Sequence, residues 1–180
     1  MKKTAASLIL TFIILLPLQG CGYHNPYRQK IEGGEPAAVV YMKVWDNRTN
    51  ELGLDILIYR KTADWLQQSR HLRITRDSGE ADYILSGTIL SVNYPATAYS
   101  ATDVAFTLKA EVRASYQLTE RAGKTVWRVE ETLRQADYPA GHDAVRGQSN
   151  KKEALETIAD ELGEQIYLRI TATLTGNRGK

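Results

Sequence analysis

The stretch from Val104 to Leu118 constrains the fold more than any other. Val104, Phe106, Leu108, Ala110, Val112, Ala114, Tyr116 and Leu118 alternate with Ala105, Thr107, Lys109, Glu111, Arg113, Ser115 and Gln117. A helix cannot hold such a series on one side, whereas a strand turns every second side chain to the same face. One apolar and one polar face together predict a long antiparallel strand, covered on one side and open on the other. The turn ERAGK and the run TVWRVEETLRQ follow, so the strand returns as a hairpin with Trp127, Val129 and Leu133 expected on one side. Glu131 interrupts that side and predicts a bulge or an exposed end.

Two more strands precede this hairpin. Ala37 to Trp45 carries apolar and β-branched residues too densely for a one-faced surface element, and ADYILSGTILSVNY is apolar on both faces in its first half, the pattern of a central strand. Between them, Leu54 to Gln68 predicts a helix with Leu54, Leu57, Ile58 and Trp65 along one side and Asn50 as its cap; Ile56 and Tyr59 fall off that stripe. After the loop ADYPAGHDAVRGQS, Leu155, Ile158, Leu162, Ile166 and Ile170 recur at three-to-four spacing. Asn150 and Glu153 are set as a capping box, and Gly176 marks the far end. The order is β-α-β-β-β-α. Both helices have an apolar stripe to bury, and one sheet face can take both. The expected fold is α/β, a two-layer sandwich of a four-stranded mixed sheet with two helices on one face.

The N-terminus has a different character. Lys2 and Lys3 precede Ala5 to Leu16, an apolar run broken by Ser7 and Thr11, too short at about 1.5 Å per residue to cross roughly 30 Å of hydrocarbon. It reads as a cleaved secretory signal. Leu18, Gln19, Gly20 and Cys21 resemble the bacterial lipoprotein cleavage site, which implies a diacylglyceryl thioether on Cys21, removal of residues 1–20 and acylation of the new amine. The alternative is an ordinary signal followed by a free thiol. Two or three acyl chains make a lasting anchor where one is marginal. In the lipoprotein class an Asp after the Cys retains the protein in the inner membrane; Gly22 stands here and implies the outer membrane. GYHNPYRQKIEGGEP, within residues 21–36, reads as a tether. Without Lys2 and Lys3 the chain has 21 basic and 21 acidic side chains, so charge gives no argument for nucleic acid as a partner.

Catalytic patterns are weak. His24, His71 and His142 are scattered, and neither a nucleophile elbow nor a phosphate loop is present. His142 with Asp143 is the nearest approach to an acid–base pair, and Asp77, Glu80 and Asp82 read as turn and strand-edge charges. An enzyme, a cofactor and a metal site are all unexpected.

The lipoprotein signal followed by CGYH, the strand running into WDNRT, ELGLDILI, EADYILSGTIL, the alternating strand, KTVWRVEETLRQADY and the closing amphipathic helix together resemble the LPS-assembly lipoprotein family, LptE. The resemblance covers the chain beyond the signal and implies one α/β domain over residues 37–176. It implies an outer-membrane lipoprotein, anchored in the inner leaflet, that sits in the lumen of the β-barrel LptD, helps the barrel assemble and binds lipopolysaccharide for delivery to the outer leaflet. Phosphates on that glycolipid call for cations. The candidates are Lys109 and Arg113 on the polar face of the long strand, and Arg121, Lys124 and Arg128 around the hairpin; for each the bland reading is a solvated sheet face balanced by Glu111, Glu120 and Glu130. The alternative function is an accessory lipoprotein of another envelope lipid-transport or secretion complex.

Overall fold

Alternation in sequence becomes alternation in burial. In the computed structural model, which describes residues 38–99, 105–141 and 143–176, Ala110, Val112, Ala114, Tyr116 and Leu118 are buried while Glu111, Arg113, Ser115 and Gln117 between them are partly open. In chain order the elements are β1 (Ala38–Met42), β2 (Asp46–Asn47), α1 (Leu54–Gln67), β3 (Leu72–Thr75), β4 (Tyr83–Asn93), β5 (Ala96–Tyr99), β6 (Ala105–Glu120), β7 (Thr125–Pro139) and α2 (Ala144–Gly176). The signal, the tether, Cys21, His24 and His142 lie outside the described residues.

The mixed sheet with both helices on one face stands as expected, but it has seven strands rather than four. β1 pairs in parallel with β3 and β4, and the crossover from β1 to β3 is α1, which buries Leu54, Ile58, Thr62 and Leu66. β4 pairs antiparallel with β6, and β6 with β7. The added strands are short: β2 lies along β4, β3 is an edge, and β5 continues the β4 side of β6 beyond Asn93. Segments of two to four residues carry too little periodicity to be read from sequence.

β7 holds the most instructive difference. Ala114 is registered with Thr132 but Tyr116 with Val129, two steps on β6 against three on β7, so a bulge sits at Glu130 and Glu131 as that break in the pattern suggests. The extra residue reverses the faces. Trp127 and Val129 pair with Leu118 and Tyr116 on the helix side, whereas Leu133 pairs with Arg113 on the open side, against the expectation that the three share one side. Arg134, Ala136 and Tyr138 take the helix side instead; Arg134 bonds Gln165 of α2, and Tyr138 is buried.

Both expected caps are also replaced. α1 begins after Gly53, whose φ of 80° suits glycine, and no side chain caps it. Asn50 does not serve; Asn47 organises the segment instead, its Oδ1 accepting from Thr49 N–H and Oγ1 while its amide donates to the Glu51 carbonyl. α2 starts six residues before Asn150, capped by Asp143, whose Oδ1 accepts the Arg146 N–H at 2.8 Å. Asn150 lies inside the helix and reaches back to the Pro139 carbonyl at 3.0 Å. The expected loop shrinks because β7 pairs with β6 as far as Pro139, Gly141 takes a φ of 84°, and α2 already begins at Ala144.

The core fills the space between the layers. Leu155, Ile158, Leu162, Ile166 and Ile170 of α2 are all buried, as their spacing predicts, at about 1.5–3 kcal/mol each. The two helices run in parallel, with Lys61 3.5 Å from Asp160 and Trp65 stacked on Tyr167 at 6.0 Å. Gly87 of β4 leaves room for the Trp45 ring, which a Cβ there would meet at 2.5 Å.

Candidate functional site

The face of the sheet away from the helices carries three of the five basic residues picked out by sequence. Lys109, Arg113 and Arg128 stand there, and cross-strand neighbours answer each of them. Lys109 Nζ is 3.9 Å from Asp137, Arg113 pairs with Glu131 across the bulge, and Arg128 donates to Gln117 Oε1 at 2.7 Å while lying 3.6 Å from Glu130. These pairs are mostly exposed and worth no more than about 1 kcal/mol each, so a phosphate can exchange with the carboxylate at little cost. From Lys109 to Gln117, the partner of Arg128, the strand advances roughly 27 Å, so these cations form a line and not a pocket. Near its end Ser86, Thr88, Ser115, Gln117 and Arg128 line a shallow hydroxyl-rich depression of about 240 Å³.

Arg121 and Lys124 are set apart, on the turn between β6 and β7. Arg121 is built into its surroundings: its N–H donates to the Asp82 carbonyl at 3.0 Å and its guanidinium to the Gly79 carbonyl at 2.9 Å. Lys124 projects from the turn, 3.8 Å from Glu120. Sequence reasoning passed over Arg70, Arg73 and Arg76, which are exposed on and around the edge strand β3 and have no ion pair among the described residues. Charges on an edge also guard it against pairing with another sheet, so their spacing carries no functional signal by itself.

The acid–base candidates are used locally. Asp143 caps α2, Asp77 accepts the Gly79 N–H at 2.7 Å, Glu80 accepts from Thr75, and Asp82 accepts the Val39 N–H at 2.8 Å. They do not converge. Among the described residues no cluster of His, Cys, Asp and Glu is placed to hold a metal ion, and no helix is long and apolar enough to cross a membrane.

A second polar centre was invisible in the sequence, because its members come from four separated segments. Glu51, before α1, accepts a hydrogen bond from the Tyr94 hydroxyl and forms an ion pair with Lys151 of α2 at 2.7 Å. The Lys151 ammonium sits 4.5 Å from the Tyr94 ring centroid, and Tyr138 meets Tyr94 edge-on at 6.4 Å. Burial, followed by the Glu51 carboxylate, pushes the Tyr94 phenol well above its ordinary range, and burial then Glu51 push Tyr138 the same way. This strut fastens the segment before α1 and the end of β4 to α2, and fixes where the cleft between the two helix starts opens.

Comparison with known proteins places these features in a family. The model of a family described as LptE, lipopolysaccharide-assembly, matches residues 37–170. Among solved structures, the chain is similar to the rare lipoprotein B from Shewanella oneidensis (TM-score 0.52, 8% identity, 78% of this chain and 99% of that one). It is also similar to a candidate lipoprotein of Caulobacter crescentus CB15 (0.52, 18%, 74% and 92%) and to the protein CT253 from Chlamydia trachomatis (0.51, 14%, 76% and 97%). At such identities these likenesses speak for the fold. No curated protein matches the chain.

Proposed function

We propose, from the premise that the chain belongs to the LptE lipopolysaccharide-assembly family, that it is the lipoprotein half of an outer-membrane lipopolysaccharide translocon. The family is one of non-catalytic lipoproteins of the cell envelope. The observation that carries the reading is the family match over residues 37–170, which takes in every strand and nearly all of α2. Residues 1–20 are the cleaved signal, Cys21 takes the lipid, residues 21–36 tether it, and residues 37–176 form the domain. Through that anchor in the inner leaflet of the outer membrane, the domain occupies the lumen of an LptD-type β-barrel, plugs it and aids its assembly. Barrel interiors are polar, which suits a sheet face carrying Lys109, Glu111, Arg113, Ser115 and Gln117. Lipopolysaccharide phosphates meet the cations of that face and of the hairpin.

Gentle detergent extraction of outer membranes holding a tagged copy, with mass spectrometry of Cys21 and of co-purifying proteins, tests this. A stoichiometric large β-barrel with an acylated Cys21 is the expected outcome. An acylated chain with no barrel would discard the translocon reading in favour of an accessory lipoprotein of another envelope complex. Reversing the charges of Arg121 and Lys124 together should weaken lipopolysaccharide binding in a salt-sensitive manner, and unchanged binding removes the hairpin from the site.

A further inference from the structure

Large apolar side chains left in water are concentrated at one end of the domain. Of the seven among the described residues, Leu52, Ile56, Tyr99, Phe106 and Val145 stand where both helices begin and where β5 and β7 end; Leu52 is 93% exposed and Val145 81%. The Phe106 carbonyl accepts the Ala140 N–H at 3.0 Å, which brings the start of β6 beside the turn into α2. Exposed single hydrophobes are ordinary, but of these five Leu52 also lines a depression, where an exposed apolar side chain beside further apolar walls offers a binding surface. Two depressions open here, of about 550 and 540 Å³, and both are lined by Gln148 and Lys151. The first lies between the starts of α1 and α2, with Leu52, Leu57 and Leu155 in its wall and Arg60 and Lys152 also lining it.

Charge says what the cleft would take. Lys151 is committed to Glu51, as described above. Arg60 has no ion pair among the described residues, and Lys152 has only a 3.8 Å contact with Glu156, with 77% of its side chain exposed. The acids that line the cleft, Glu51 and Glu156, are thus each beside a lysine, and Arg60 is left over. An apolar wall beside a free cation fits an anionic amphiphile with an acyl chain and a phosphate. The polar wall of a barrel lumen offers no match to Leu52 or Ile56.

We infer that the cleft between the start of α1 and residues 148–156 of α2 binds lipid A of lipopolysaccharide, with an acyl chain against Leu52, Leu57 and Leu155 and a phosphate at Arg60 and Lys152. The inference rests on the lipopolysaccharide-assembly reading and deepens it, giving the acyl chains a site distinct from the cation line on the sheet and from the hairpin. Leu52 is held out of the core, so the fold does not depend on it, and its contact area becomes useful only when hydrocarbon covers it.

The test uses the whole mature chain with Cys21→Ser, so that the chain's own lipid does not compete. Binding of diphosphoryl lipid A in detergent is measured for this protein, for Leu52→Gln, and for Arg60→Gln with Lys152→Gln. Leu52→Gln should weaken binding about tenfold with the melting temperature unchanged. The charge pair should weaken it at low salt and reduce the preference for diphosphoryl over dephosphorylated lipid A. If the parent binds and Leu52→Gln binds equally well, the cleft is overturned while the lipopolysaccharide reading stands. A parent that binds no lipid A defeats both.

Discussion

Replacing Gly87 by alanine adds one methyl group to the middle of a central strand, where the general expectation is a gain, since glycine in a strand costs roughly 0.5–1 kcal/mol relative to alanine. The structure predicts a loss. A Cβ at that position would stand 2.5 Å from Cε3 and 2.6 Å from Cδ2 and Cζ3 of Trp45. Carbon atoms pack at about 3.5–4.0 Å, so the ring must retreat by about 1 Å. It has little room to do so, because Trp45 is 3% exposed and lies against Tyr116 at 6.1 Å, which in turn meets Trp127 edge-on at 5.9 Å. Overpacking of this kind costs about 1–3 kcal/mol; with the ring confined on both sides the upper half of that range applies, and after the glycine term the net cost is about 1–2 kcal/mol. For a domain of this size that lowers the melting temperature by roughly 3–8 °C. Circular-dichroism melts of residues 21–180 with Cys21→Ser measure it. The decisive comparison is a double-mutant cycle with Trp45→Leu: once the ring is gone, Gly87→Ala should be neutral or stabilising, a coupling of about 2 kcal/mol. An equal cost in both backgrounds would refute the account of Gly87 as a seat for Trp45.

Two further outcomes test the Glu51 strut. Glu51→Ala removes the partner of both Lys151 and the Tyr94 hydroxyl, and with the pair only about a quarter exposed it should cost about 2 kcal/mol in urea unfolding; a cost below the error of the fit would mean that the strut does not hold α1 to α2. The raised phenols of Tyr94, Tyr116 and Tyr138 make stability depend on alkaline pH. Their contribution is fully present below the unfolded tyrosine value near 10, and declines above it as the unfolded chain ionises while the folded phenols stay neutral. Tyr94→Phe, which cannot ionise, should therefore lose less stability between pH 9 and pH 11 than the parent, and identical slopes would count against the burial of that hydroxyl.

Elements whose signal is periodic and long were legible in the residues alone. The alternation through β6 fixed a strand with one covered face, because a period of two admits no other regular backbone, and the stripe from Leu155 to Ile170 fixed α2 by the same logic at its own period. The family resemblance was legible for the same reason, being an order of such elements. Caps were not: Asn50 and Asn150 have suitable chemistry, but which polar side chain meets a helix end depends on where the preceding strand stops, and β7 runs on through Tyr138 because that ring is buried against the core. The face on which Leu133 stands was decided by one bulged residue, since an extra residue reverses a strand's alternation for the rest of its length. The candidate site divides in the same way. Lys109 and Arg113 could be assigned to one face from their spacing, whereas the Glu51, Tyr94 and Lys151 strut and the cleft beside it join segments far apart in the chain. Parallel packing of α1 and α2 brought Glu51 beside Lys151, and the contacts that set that packing are made between side chains with no local pattern to record them.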